Sequence, residues 1–184
     1  MRNEQLQTAS ALFIARFHPF LTHMVTLNLL DTRTSTYIKQ TGWTKDAVQR
    51  NEFELTDTAA TASLRYFIEV LNYALHGRRT RKARYRDVCR ILAIPVYEGT
   101  RNNKRRHFHI LLGNVPQEKL GDLEKLVADA WAATKWGMPG VDVRELHDAD
   151  GAAYYLSKEV GYYNEDAVLW QQASIPRRLI GENA

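Results

Sequence analysis

The chain has 184 residues, of which 45% are apolar and 25% are charged, so it is long enough for one well-packed domain and short for two. A single cysteine, Cys89, excludes an intramolecular disulfide framework and a zinc site made of several thiolates. No apolar run approaches the roughly 20 residues that cross a bilayer, and the N-terminal residues lack the apolar stretch of a signal peptide. We therefore expect a soluble, cytoplasmic protein without a membrane partner.

The net charge of +4 is unevenly spread along the chain. Between Arg78 and Arg106 there are eleven basic residues and two acidic ones, Asp87 and Glu98, so this segment carries a charge of +9 and the remainder −5. Basic side chains that neutralise phosphates give a protein sequence-independent affinity for nucleic acid. A run this dense favours a nucleic-acid partner over an ordinary solvated surface.

Hydrophobic periodicity and turn residues predict eight elements along the chain. In chain order they are strand 23–30, helix 58–76, strands 87–98 and 106–112, a helix from Pro116 to Gly137, strand 141–146, helix 150–160 and a last strand at 167–171. The turn-forming composition of residues 99–105 predicts that the two central strands pair as an antiparallel hairpin.

The order β-α-β-β-α-β-α-β predicts an α+β fold in which helices pack on a central antiparallel sheet. We expect one domain over residues 1–184, with its core at about 22–172 and residues 1–21 as an N-terminal extension. The phosphate-binding pattern G-x-x-x-x-G-K-[ST] does not occur in the sequence, so no ATPase or helicase module is predicted.

A candidate metal site lies in the predicted hairpin. His107-Phe108-His109 belongs to its second strand, and the two-residue period of a strand places both imidazoles on one face and Phe108 on the other. Glu98 ends the partner strand, so we expect it beside the two histidines across the hairpin. Two imidazoles and a carboxylate suit a divalent ion such as Mn²⁺ or Mg²⁺ and leave positions for a phosphate oxygen.

Other interpretations of these residues remain open. An H-x-H pattern in a strand also occurs as a pair of ordinary half-buried histidines, and Glu98 at a turn can be a solvated charge. Glu145 and His147, at the end of the predicted strand 141–146, are a second source of a third ligand.

The predicted helix 150–160 carries a candidate nucleophile. Tyr155 and Lys158 lie on one flank of its apolar face. A lysine one turn after a tyrosine can hold a phosphate or favour the phenolate, because the ordinary tyrosine pKa of about 10 is too high for a ready nucleophile. An amphipathic helix with aromatic edges explains the same pattern without any chemistry.

Together, three motifs resemble in their order those of the HUH endonuclease superfamily, and specifically its rolling-circle replication initiators (Rep). They are the apolar strand with a threonine, Met24-Val-Thr-Leu-Asn28, then His107-Phe108-His109, then Tyr155-Leu-Ser-Lys158. The resemblance covers about residues 22–172. In relaxases, the conjugative branch, the tyrosine precedes the histidines, whereas here Tyr155 follows them.

The resemblance implies a metal-dependent enzyme with one catalytic tyrosine, which nicks single-stranded DNA at an origin and rejoins it through a 5′-phosphotyrosine. Tyr155 would be the nucleophile beside Lys158, and Glu98, His107 and His109 would bind Mn²⁺ or Mg²⁺. The cations next to this site that we expect to contact DNA are Arg101, Lys104, Arg105 and Arg106. The implied partners are origin DNA and the helicase and polymerase of a bacterial host.

Two alternatives to an initiator follow from the same residues. The single-strand transposases of the superfamily share the order of histidines and tyrosine, but they resemble enzymes that carry a glutamine after the tyrosine. This chain carries Lys158 after Tyr155, which favours Rep. A non-catalytic origin-binding protein would keep the basic hairpin and carry out no chemistry.

Overall fold

A computed structural model describes most of the chain, namely residues 2–41, 44–85, 88–99, 105–157, 160 and 167–180, with the backbone alone at 2, 3, 35–41, 44–50, 149, 150 and 155. Its helices and strands are α1 (Arg2–Ala15), β1 (Leu21–Leu29), β2 (Thr32–Thr41), β3 (Thr44–Glu54), α2 (Asp57–His76), β4 (Leu92–Glu98), β5 (His107–Gly113), α3 (Leu123–Ala132), β6 (Gly137–Glu145) and α4 (Ala149–Leu156).

Four of the strands form one antiparallel sheet in the order β4-β5-β1-β6, and β2 and β3 pair as a separate two-stranded ribbon. The predicted α+β class and the central antiparallel sheet with helices packed on it are confirmed. The predicted hairpin is also confirmed as the pairing of β4 with β5.

Helices cover both faces of the four-stranded sheet. Because successive strand residues point to opposite sides, Phe108, Ile110 and Leu112 of β5 join the apolar core beneath α2 and α3, whereas Leu111 joins a second core. That second core is formed with residues of α1 and α4, among them Ile14 and Leu156. We refer to the two sides as the α2/α3 face and the α1/α4 face.

The predicted last strand at 167–171 is wrong. The segment runs antiparallel along the outer edge of β4 but makes only two isolated bridges, Ala93 with Ser174 and Val96 with Val168. The amides of Ala93 and Tyr97 donate to this segment, while Pro95 between them has no N–H and only accepts, from Leu169. Proline therefore interrupts the ladder, and the segment turns into a short 3₁₀ helix at Trp170–Gln172.

The predicted element order is incomplete at two further places. Residues 1–21 are more than an extension, because α1 contributes Ile14 to the core, and Phe17 is also buried there. The β2–β3 ribbon replaces the loop between the first strand and α2. Its threonine-rich strands lack the apolar alternation that marks a half-buried strand.

Two predicted boundaries also move. The strand expected from Asp87 begins at Leu92, because the amides of Val88 and Cys89 are bonded to the Tyr85 carbonyl in a turn. The helix expected from Pro116 to Gly137 is a 3₁₀ turn followed by α3, and Gly137 begins β6 instead. Among the helices of the described part of the chain, none has the length and apolar character needed to cross a membrane.

One buried side chain links α2 to the start of β4 by hydrogen bonds. Asn72 is fully buried; its amide group donates to the Ile68 carbonyl at 2.9 Å, and its Oδ1 accepts from the Ile91 amide at 2.9 Å. The Ile91 N–H lies just before the first residue of β4, outside the sheet ladder, and Asn72 supplies its acceptor.

We predict that Asn72→Ala destabilises the protein by about 1–3 kcal/mol, because the Ile91 amide is left buried without its acceptor. Urea unfolding measures this change. Thr58→Ala, at an exposed position of the same helix, is the control and should shift stability by less than about 0.5 kcal/mol. An Asn72→Ala protein as stable as this control would contradict the assignment.

Candidate metal centre

Two imidazoles and one carboxylate meet at the loop end of the β4–β5 hairpin, where β4 ends and β5 begins. In its antiparallel register Glu98 lies opposite His107, and Val96 lies opposite His109. His107 and His109 are two residues apart on β5, so they point to the same side of the sheet. Their Nε2 atoms are 3.2 Å apart. The structure thus brings together the three residues that the sequence pattern predicts as ligands.

The carboxylate of this group is buried. Glu98 is 3% exposed, and its oxygens lie 3.7 Å from His107 Nε2 and 4.0 Å from His109 Nε2. A carboxylate removed from water requires nearby positive charge or hydrogen-bond donors. Imidazolium protons or a bound cation between the three side chains can supply that charge.

The Nδ1 atom of each imidazole makes a hydrogen bond away from the centre of the group. His107 Nδ1 lies 2.8 Å from the Arg105 carbonyl oxygen, which can only accept, so Nδ1 carries a hydrogen, and in the neutral ring Nε2 then presents a lone pair. His109 Nδ1 lies 3.1 Å from Thr26 Oγ1, a hydroxyl on the neighbouring strand β1. Contacts of this kind orient the imidazoles that ligate metals in proteins.

The donor atoms have the spacing of a coordination sphere. Around an ion bonded at about 2.1 Å, adjacent donors stand about 3 Å apart and opposite donors about 4.2 Å apart. The two Nε2 atoms are 3.2 Å apart, and His107 Nε2 lies 3.7 Å from Glu98 Oε2 and His109 Nε2 4.0 Å from Glu98 Oε1, so each of these separations lies within that range. Glu98, His107 and His109 therefore form a group that could hold a metal ion.

The helix with the predicted nucleophile lies on the same side of the sheet. Ala153 and Leu156 of α4 pack with Leu111, whose side chain points to the same face as His107 and His109. Tyr155 belongs to α4, but its side chain lies outside the described part of the structure, as does the whole of Lys158.

The basic residues near the hairpin do not share one environment. Arg105 is exposed, and its Nη1 lies 3.4 Å from Met138 Sδ. Arg106 is half-buried, and its guanidinium donates to the Leu55 carbonyl. Arg101 and Lys104 lie outside the described residues.

A second tyrosine near the site is poorly suited to act as a nucleophile. Tyr97 precedes Glu98 and points to the α2/α3 face, where it is 3% exposed and its hydroxyl donates to Asp57 Oδ1 at 3.2 Å. Burial, and after it the Asp57 carboxylate, raises the pKa of Tyr97 well above its usual value. The phenol therefore stays protonated and points away from His107 and His109.

Thr26 is the contributor that sequence reasoning missed. The hydroxyl in the apolar run of β1 was the only available signal, and its partner His109 lies 83 positions away in the sequence. The alternative sources of a third ligand, Glu145 on β6 and His147 just after it, are both exposed, and neither belongs to a metal-type cluster within the described residues.

We predict that Thr26→Val lowers Mn²⁺ affinity by about 10- to 100-fold, because His109 loses the hydroxyl that orients its ring. Thr26→Ser keeps the hydroxyl and should retain most of the affinity. Isothermal titration calorimetry with Mn²⁺ measures both, and Thr22→Val on the same strand is the control for a lost surface hydroxyl. Equal affinities for Thr26→Val and Thr26→Ser would show that the hydroxyl does not orient the site.

Comparison with known proteins gives no relative from which to transfer a function. No family model, curated protein or solved structure matches the chain. The donor set and its position on the sheet are therefore the grounds on which a function is argued.

Proposed function

We propose that this chain is a metal-dependent endonuclease of the HUH superfamily, of the rolling-circle initiator (Rep) type, which nicks and rejoins single-stranded DNA. The observation that carries the proposal is the convergence of Glu98, His107 and His109 on the sheet face where α4 packs. Phosphoryl chemistry needs a cation close to the phosphate and a nucleophile on the same side, and α4, the helix that contains Tyr155, packs on this face.

Three side chains would hold the ion, Mn²⁺ or Mg²⁺. When bound, it supplies polarisation of a phosphodiester oxygen and stabilises the charge that develops there. Thr26 and the Arg105 carbonyl keep the two imidazoles turned with Nε2 toward the centre. The buried Glu98 adds the negative charge that favours a divalent cation over a neutral ligand.

Tyr155 is the proposed nucleophile. Its phenol loses a proton as its oxygen forms a bond to phosphorus, the bond from phosphorus to the 3′ oxygen breaks, and that oxygen takes up a proton, so no net proton is gained or lost. The products are a 5′-phosphotyrosyl adduct and a free 3′-OH. Because the phosphodiester energy is retained in the adduct, a 3′-OH can reverse the step and reseal the strand. Lys158 would favour the phenolate form.

Arg105, Arg101 and Lys104 would hold the strand next to the site, where their charge offsets that of the phosphates. Arg106 contributes less to this contact in our proposal, since its guanidinium is engaged by the Leu55 carbonyl. A free 3′-OH left by the nick is a primer, so the proposed partners are a host polymerase and a helicase that separates the strands.

We predict that the protein forms an SDS-resistant adduct with a randomised single-stranded DNA pool in Mn²⁺, and that Tyr155→Phe abolishes it because the attacking oxygen is removed. Tyr154→Phe is the matched control, since Tyr154 is 66% exposed on the same helix and should leave the adduct unchanged. Labelled DNA on a denaturing gel measures the adduct, and mass spectrometry locates it. A nucleotide on Tyr154, or an adduct retained by Tyr155→Phe, would refute the nucleophile.

We also predict that His107→Ala and His109→Ala each abolish adduct formation while single-strand binding stays within about threefold, because surface cations supply that affinity. His147→Ala, at an exposed position outside the group, is the control and should retain the adduct. Gel adduct assays and fluorescence anisotropy separate the two effects. Near wild-type adduct yields from both histidine variants would rule out a metal role for this pair.

A further inference from the structure

The two outer edges of the four-stranded sheet differ in what lies beside them. The edge of β4 is covered by residues 167–174, and Pro95 presents no N–H there. The opposite edge belongs to β6, whose inner side pairs with β1. Within the part of the chain that the structure describes, no strand pairs with the outer side of β6. We call residues 141–145 of this strand the open edge.

The backbone groups of the open edge point alternately toward β1 and away from it. The Leu146 amide donates to the Thr22 carbonyl. In an antiparallel ladder every second residue bonds to the same neighbour, so Asp142 and Arg144 also direct their backbone groups to β1. The residues between them direct N–H and C=O away from β1; these are Val141, Val143 and Glu145. Their backbone groups are placed to bond to a further strand.

The side chains of the open edge divide between the two faces of the sheet. Val141 and Val143 are partly buried against the core of the α2/α3 face. Asp142 and Arg144 lie on the α1/α4 face, where their side chains form an ion pair at 2.9 Å and are 46% and 69% exposed. A strand that carries an acid and a base two positions apart is complementary to a second copy of itself that runs in the opposite direction.

The charges favour one register for such a pair of strands. With a two-fold axis at Val143, Asp142 of each copy lies opposite Arg144 of the other. The two Val143 residues then exchange hydrogen bonds, and so do both pairs of Val141 with Glu145, which gives about six backbone bonds. An axis moved by one residue brings Asp142 opposite Asp142, or Arg144 opposite Arg144, and like charges directly opposite destabilise a sheet. The register centred on Val143 avoids both repulsions.

We propose that the open edge of β6 is a dimer interface, which pairs with the same edge of a second copy of this chain in the register centred on Val143. The two four-stranded sheets then form one continuous sheet. Because the two-fold axis is perpendicular to that sheet, both candidate metal centres lie on the same side of it. Five paired residues a side bury less area than an obligate interface does, so the association is reversible. The proposal does not depend on the proposed chemistry.

Charge reversal followed by mixing tests this interface, with sedimentation velocity measured between about 10 µM and about 1 mM protein. The wild-type sedimentation coefficient should rise with concentration from that of a monomer to that of a dimer. Asp142→Arg sets arginines opposite one another and Arg144→Asp sets carboxylates opposite one another, so each variant alone should dimerise at least about tenfold more weakly. An equimolar mixture of the two variants should recover the wild-type association, because every charged pair across the interface is then opposite in sign.

The mixture separates contacts between chains from contacts within one chain, because both variants have lost the internal pair of Asp142 with Arg144. Lys125→Asp and Asp129→Lys are the matched controls, since they reverse the charges of another exposed ion pair, on α3. Each control should sediment as the wild type does. A wild-type protein that stays monomeric at the highest concentration, reversal variants that dimerise as the wild type does, or a mixture that recovers no association would each overturn the proposal.

Discussion

The register of the β4–β5 hairpin is the constraint on which the candidate metal centre depends. A slip of one residue would turn His107 and His109 toward the α2/α3 face and bring Phe108 to the α1/α4 face. In the observed register Phe108 is fully buried on the α2/α3 face, stacked on Tyr97 at 4.8 Å and edge-on to Trp131 at 6.2 Å. Aromatic packing on one side of the sheet therefore holds the ligand set in phase on the other.

Burial of the Glu98 carboxylate makes this group of three side chains favour a cation. Removing a charged carboxylate from water is costly, and two neutral imidazoles whose lone pairs both pointed at it would not offset that cost. A proton shared between the rings, 3.2 Å apart at their Nε2 atoms, or a divalent cation among all three side chains, resolves the conflict. Burial of the carboxylate thus favours binding of a cation beside it, and Thr26 keeps the His109 ring turned inward.

The ligand set could be predicted because it follows from local patterns in the sequence. Features that depend on contacts distant in sequence could not be predicted. The period of two in His107-Phe108-His109 and the turn before it place Glu98 across the hairpin from sequence alone. The role of Thr26 depends on the pairing of β1 with β5, which no local pattern specifies. The failed last strand depends in the same way on Pro95, whose missing N–H matters only once the segment lies beside β4. The helix α1 was missed because its apolar positions do not form one clear stripe; Leu12 is exposed while Ile14 is buried.

The basic segment 78–106 is continuous in the sequence, but its described residues lie at both ends of β4. Arg105 and Arg106 are neighbours, yet Arg105 is exposed beside the metal centre and Arg106 reaches the Leu55 carbonyl, close to the Asp57–Tyr97 pair of the α2/α3 face. The residues from Arg78 to Arg84 stand at the far end of β4. A charge count along the chain therefore overstates the cations at the centre itself.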